Sequence, residues 1–170
     1  MAPTKLPDCG LYRTTKALPG HEDKIPAGLL VYFHNHSDSG LPQVIPPDHN
    51  VHNRWHFHGP GILIRGLSWI DTLVRMPAEG FYVLRRDVPL DGGGRMAKGT
   101  LVQLGYQNNG TPILFIARER NPLQENDLFF SHMGNKISRD QLSALEPVLV
   151  HREERQPGTN PNDDSTPPVH

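Results

Sequence analysis

Cysteine is almost missing from this chain of 170 residues: a single copy, Cys9, sits near the start. No intrachain disulfide can form and no thiolate cage is available to a metal, so a reducing, intracellular setting is the default expectation. Aromatic residues are scarce at 7%, and hydrophobic residues reach only 36%, which allows modest cores and excludes large buried sheets. Charge of one sign is also lacking. Seventeen basic residues face eighteen acidic ones, so the broad positive field behind nonspecific nucleic-acid binding is absent, although a local basic patch is still allowed. No run approaches the ~20 apolar residues that a spanning helix needs, and MAPTKLPDCGLYRTTK lacks the apolar centre of a signal peptide. The expected setting is cytoplasmic, with no membrane partner. GxSxG, GxxxxGK[ST] and HExxH are all missing, so an enzyme is not indicated.

Turn-forming residues, by contrast, are abundant. Sixteen glycines and seventeen prolines favour many short elements over long helices, and so an all-β class. The first 26 residues, with Pro3, Pro7, Pro19 and Pro26, read as an extended arm. From residue 27 onward the chain repeats itself. Gly28-Leu29-Leu30-Val31 matches Gly99-Thr100-Leu101-Val102, and Ser39-Gly40-Leu41-Pro42 matches Asn109-Gly110-Thr111-Pro112. Asn53 to His58 then falls on Asn126 to Ser131, Gly61 on Gly134, and Ile64 on Ile137. Glu79 to Val83 is expected to close the first copy as Glu146 to Val150 closes the second. Self-similarity at a fixed period decides architecture before any single element does.

Each copy offers about five short strands, a number that suits a small barrel closing its own edges. The second copy, through KGTLVQLGYQNNGTPILFIA and LSALEPVLV, resembles the SH3-like family of small barrels, including KOW-type modules. That resemblance implies two tandem SH3-like barrels packed together, over residues 27–88 and 98–151. Residues 89–97 then form a Gly-rich linker, and 152–170 a tail too polar to fold. It implies architecture only, because on such folds function resides in variable loops.

Histidine placement is the chemical outlier. Six of the ten histidines, His34, His36, His49, His52, His56 and His58, fall within 25 residues. A spacing of i and i+2 puts two side chains on one face of a strand, so His34/His36 and His56/His58 form two candidate ligand pairs for zinc, nickel, copper or iron. The second copy carries Gly105, Gln107, Phe129 and Ser131 in their places, so the fold itself does not need these histidines. Protonation near pH 6 is another use for such a cluster. The remaining readings are a polar surface loop and a partner-binding surface. The insertion 43–53 lies in a loop of the first copy, where partners commonly bind. His49, His52, Arg54, Trp55 and Trp69 are its candidate contacts, although a core role comes first for each tryptophan. The reading placed first is a non-enzymatic adaptor with a protein partner, then a metal-binding protein, then an RNA-binding module. Nucleic acid ranks last because Arg65, Arg75, Arg85, Arg86, Arg118 and Arg120 are interleaved with strands.

Overall fold

A computed structural model describes residues 5–124 and 126–151. The expected tail, 152–170, lies outside the described residues. The elements are almost all strands. The first half contains β1 (Gly10–Thr14), β2 (Leu30–His34), β3 (Gln43–Ile45), a separate hairpin of β4 (His49–Val51) and β5 (Arg54–His56), β6 (Ile62–Leu63), the single-turn helix α1 (Leu67–Ile70) and β7 (Leu73–Arg75). The second half contains β8 (Gly80–Leu84), a small ladder of β9 (Val88–Pro89) and β10 (Arg95–Met96), β11 (Leu101–Tyr106), β12 (Pro112–Glu119), β13 (Leu128–Phe130), β14 (Asn135–Lys136), a 3₁₀ helix (Arg139–Ala144) and β15 (Leu145–Pro147). No helix among the described residues is long and apolar enough to cross a membrane.

Both halves build the same antiparallel sheet. Strand order is β6-β3-β2-β1-β7 in the first and β14-β12-β11-β8-β15 in the second, where β13 also pairs with β12. Register repeats as well as order. Tyr12 faces Val31 as Tyr82 faces Val102, Val44 faces Ile62 as Leu114 faces Asn135, and Leu73 faces Thr14 as Leu145 faces Leu84. The Tyr12 hydroxyl donates to the Asp8 carbonyl at 2.8 Å, and that of Tyr82 to the Ala78 carbonyl at 2.6 Å. Gly28 and Gly99 enter the second strand of each sheet with φ of 83° and 85°. Their amides bond the carbonyls of Thr14 and Leu84 at 2.8 and 2.7 Å. A side chain there would force an unfavourable left-handed backbone, which is why glycine recurs at both positions.

Several sequence expectations change. The supposed arm supplies β1, an inner strand of the first sheet between β2 and β7. Its prolines flank the strand and leave Leu11, Tyr12 and Thr14 free to be buried. Glu79 to Val83 does not close the first copy. Gly80–Leu84 opens the second, paired with β11 and β15, so the repeat begins at Gly10 and Gly80. The supposed linker is a turn inside the second copy: Val88 and Met96 pair and are buried, and Gly93 and Gly94 turn the chain at positive φ. Neither sheet closes into a barrel. The outermost strands have only two or three residues, too few to carry a ladder back across the sheet.

Two cores follow from the alternation along β1. Tyr12 faces a cluster with Val31, Phe33, Val44, Ile64 and Trp69. Leu11, on the opposite face, joins Leu30 and Met76 in a second cluster with Tyr82, Val102, Leu104, Leu114 and Leu145. The two halves therefore share a core.

The copies differ most in the third strand. β12 runs unbroken for eight residues, whereas Pro46 and Pro47 interrupt the equivalent stretch and split it into β3 and β4. The freed hairpin β4–β5 crosses onto the second sheet. There, a Cβ on Gly105 would lie 2.6 Å from the Asn53 carbonyl oxygen and 3.2 Å from Phe115. Gly105→Ala is expected to cost about 1–3 kcal/mol by overpacking against backbone, measured by denaturant unfolding.

Candidate metal centre

The hairpin is made by a two-residue turn. His52 and Asn53 have φ of 50° and 65°, the pair of left-handed residues that a type I′ turn needs. Val51 therefore pairs with Arg54, Asn50 with Trp55, and His49 with His56. Alternation along β5 sends Trp55 to one face and His56 to the other.

The Trp55 face is pinned. The indole Nε1 donates to the Tyr106 carbonyl at 2.8 Å and the Trp55 amide to Glu79 Oε2 at 2.9 Å. Asn53 Nδ2 donates to Gln103 Oε1 at 3.0 Å, and Gln103 Nε2 returns a bond to the His52 carbonyl at 2.9 Å. These bonds order the hairpin without any ligand. Glu79 itself is mostly buried, with Oε1 lacking a hydrogen-bond partner. Burial pushes its carboxyl up to about 7, while the Trp55 amide and Arg54 pull in the other direction.

The opposite face carries three imidazoles. His49, His56 and His58 offer ligand nitrogens that all lie within 4.8 Å of one another. The His49 and His56 rings stack at 4.7 Å with 3° between their planes, and His58 lies 5.3 Å from His56 and 5.8 Å from His49. His49 Nδ1 is 2.9 Å from Asp48 Oδ2. A proton on Nδ1 donated to that carboxylate leaves Nε2 free as an acceptor, the arrangement by which second-shell carboxylates orient metal-binding histidines. Burial, then the neighbouring His49, His58 and Arg54, hold His56 below the ordinary imidazole range and so favour its neutral, ligating form. Borderline ions such as zinc, nickel or copper accept such a set of three nitrogens and keep a further position open.

No protein-family model, curated protein or solved structure matches the chain. The site must be read from its own chemistry.

Of the four ligands proposed from spacing, His56 and His58 belong to the triad and His34 and His36 do not. β2 is flanked by β1 and β3, and β5 pairs only with β4, so the two histidine pairs do not lie on adjacent strands. His34 packs on Tyr32 at 4.7 Å, and burial, then His36, lower its pKa. His36 Nδ1 bonds Asn35 Oδ1 at 2.8 Å and lies 3.8 Å from Cys9 Sγ. His49, placed among partner contacts from sequence, is the third member of the triad. Its signal was present: His-Asn flanked by Val51 and Arg54 is compatible with a tight turn, and a two-residue turn puts His49 opposite His56.

Among the partner contacts, His52 occupies the turn, Arg54 is exposed, and Trp55 is half-buried. Trp69 is 6% exposed and its Nε1 donates to the Lys16 carbonyl at 3.0 Å, which removes it from any contact surface.

Proposed function

We propose that this chain binds a divalent late transition-metal ion through His49, His56 and His58. The observation that carries the reading is the convergence of three imidazoles on one face of a hairpin whose other face is bonded to the second sheet. A preordered ligand set loses little freedom on binding. Asp48 supplies the outer carboxylate, and an open fourth position leaves room for water or a small ligand. Zinc titrated into untagged full-length protein by calorimetry is expected to bind at one ion per chain. Absence of a saturable event would overturn the reading. Asp48→Asn is expected to weaken zinc by ~10–100-fold, the range seen when an outer-shell partner is lost, checked by competition with a fluorescent zinc chelator.

The resemblance to tandem SH3-like modules belongs to the same proposal. Its support is the repeated order and register of the two sheets, each with a brief helical turn before its last strand. On this scaffold the metal centre is an elaboration of one copy: the β4–β5 hairpin stands where the second copy has the end of β12 and β13.

A protein-binding adaptor is the second reading. One feature favours it, an open groove of about 520 Å³ between the β4–β5 turn and β13. Phe81, Leu128, Phe129 and Phe130 line it, with Leu128 53% exposed. Apolar side chains gathered at the surface commonly mark contact sites. The RNA-binding reading gains no comparable support: Arg85 and Arg86 donate to Ser143, Arg95 pairs with Asp87, and Arg120 with Asp127.

A further inference from the structure

Between the Trp55 face of the hairpin and the first sheet, residues of the first half leave an open cavity of about 310 Å³. Tyr32, Trp55 and Phe57 supply aromatic walls, and Arg54, Arg75 and Glu79 supply the charge. Small-molecule sites share this character in part: a concave space with aromatic walls and a few convergent polar groups. Its volume lies at the small end of such sites, which run from ~300 Å³ upward.

The two arginines decide the sign of the ligand. Neither guanidinium forms a close ion pair among the described residues, although Arg54 acts on Glu79 at longer range. Arg75 is nevertheless fixed in place: Nη1 donates to the Tyr12 hydroxyl at 2.8 Å and to the Asp8 carbonyl at 3.4 Å, and the group lies 5.5 Å from the centre of the Tyr12 ring. Among the described residues all its hydrogen bonds run through Nη1, so Nε and Nη2 are left to offer. Glu79 does not cancel this field toward a ligand. Burial pushes its carboxyl up to about 7, so near that pH it is only partly charged, and the two guanidiniums that share the lining outweigh it.

We propose that this cavity binds a small aromatic carboxylate, with its ring against Tyr32, Trp55 and Phe57 and its anionic group on Arg75 and Arg54. Planar guanidinium and planar carboxylate match in geometry, and the pair is charge-assisted. The aromatic wall is separate from the metal centre, since Trp55 and His56 project from opposite faces of β5, while Arg54 lines the cavity and also bears on His56.

The probe is 2-naphthoate, titrated into the full-length chain and followed by calorimetry and by the two indole N–H resonances in proton–nitrogen NMR. One molecule per chain is expected, with the Trp55 resonance moving and that of Trp69, in the other core, staying in place. The neutral 2-naphthamide is expected to bind at least about tenfold more weakly, and Arg75→Met to impose a similar loss, because each removes a charge-assisted contact. Arg54→Gln provides a second variant at an exposed position, with an unchanged Trp69 resonance as the check on folding. His56→Ala is expected to bind the probe as the native chain does, which separates this cavity from a carboxylate held by metal. Equal affinity for acid and amide, or a probe that leaves Trp55 unmoved, would overturn the proposal.

Discussion

His49→Ala is expected to abolish tight zinc binding. Loss of an outer-shell group alone costs 10–100-fold, so loss of one of three direct ligands is expected to cost at least about 100-fold. The remaining pair, His56 and His58, holds two nitrogens at the i, i+2 spacing and cannot complete a three-ligand set. The control is the double variant His34→Ala/His36→Ala, which keeps all three imidazoles of the triad and is expected to bind zinc as the native chain does. Fold is not at stake in His49→Ala, because His49 is exposed and the hairpin is anchored by Trp55 and Asn53. Zinc competition measured at pH 7.5 on both variants checks the result. An undiminished affinity in His49→Ala would remove the triad from the account.

Glu79→Gln is expected to stabilise the protein at pH 8 and to do so progressively less as the pH falls toward 5. In the unfolded chain this carboxyl ionises near 4.5, whereas in the folded one burial moves it up to about 7. Between those values the folded state holds a proton that the unfolded state has lost, so the contribution of Glu79 to stability declines as pH rises through this window. Above about 7 the full penalty of a buried charge remains. Discounted because part of the group reaches solvent, that penalty is on the order of 1–2 kcal/mol. For a chain of this size it corresponds to roughly 5 °C in Tm. Glutamine keeps a carbonyl oxygen for the Trp55 amide and carries no charge. Thermal unfolding of both proteins at pH 5 and pH 8 measures the difference, and the other titrating groups cancel between them. A variant equally destabilised at both pH values would mean that the carboxylate is needed as a charge.

The class and the duplication were legible in the sequence because turn residues recur at fixed offsets: Gly28 with Gly99, Gly40 with Gly110, and Pro42 with Pro112. The start of each copy was not. Gly10-Leu11-Tyr12-Arg13-Thr14 and Gly80-Phe81-Tyr82-Val83-Leu84 share only a glycine and a tyrosine, and four prolines around the first of them gave it the look of an arm. The tyrosines matter physically, since each bonds the carbonyl four residues back at the entry to its sheet. The site was half legible. A period of two placed His56 and His58 together, but whether His34 joins them depends on which strands are neighbours. Pro46 and Pro47 settle that by releasing the β4–β5 hairpin from the first sheet. Glu79 could not be singled out from sequence, because its burial arises only where the two sheets and the hairpin meet.

The most direct test of the metal centre is long-range proton–nitrogen NMR of the ten imidazoles in untagged protein, recorded before and after one equivalent of zinc. The ring nitrogens of His49, His56 and His58 are expected to move to metal-bound positions together, with His34 and His36 unchanged. Zinc-dependent shifts at His34 and His36 in place of the triad would contradict that expectation.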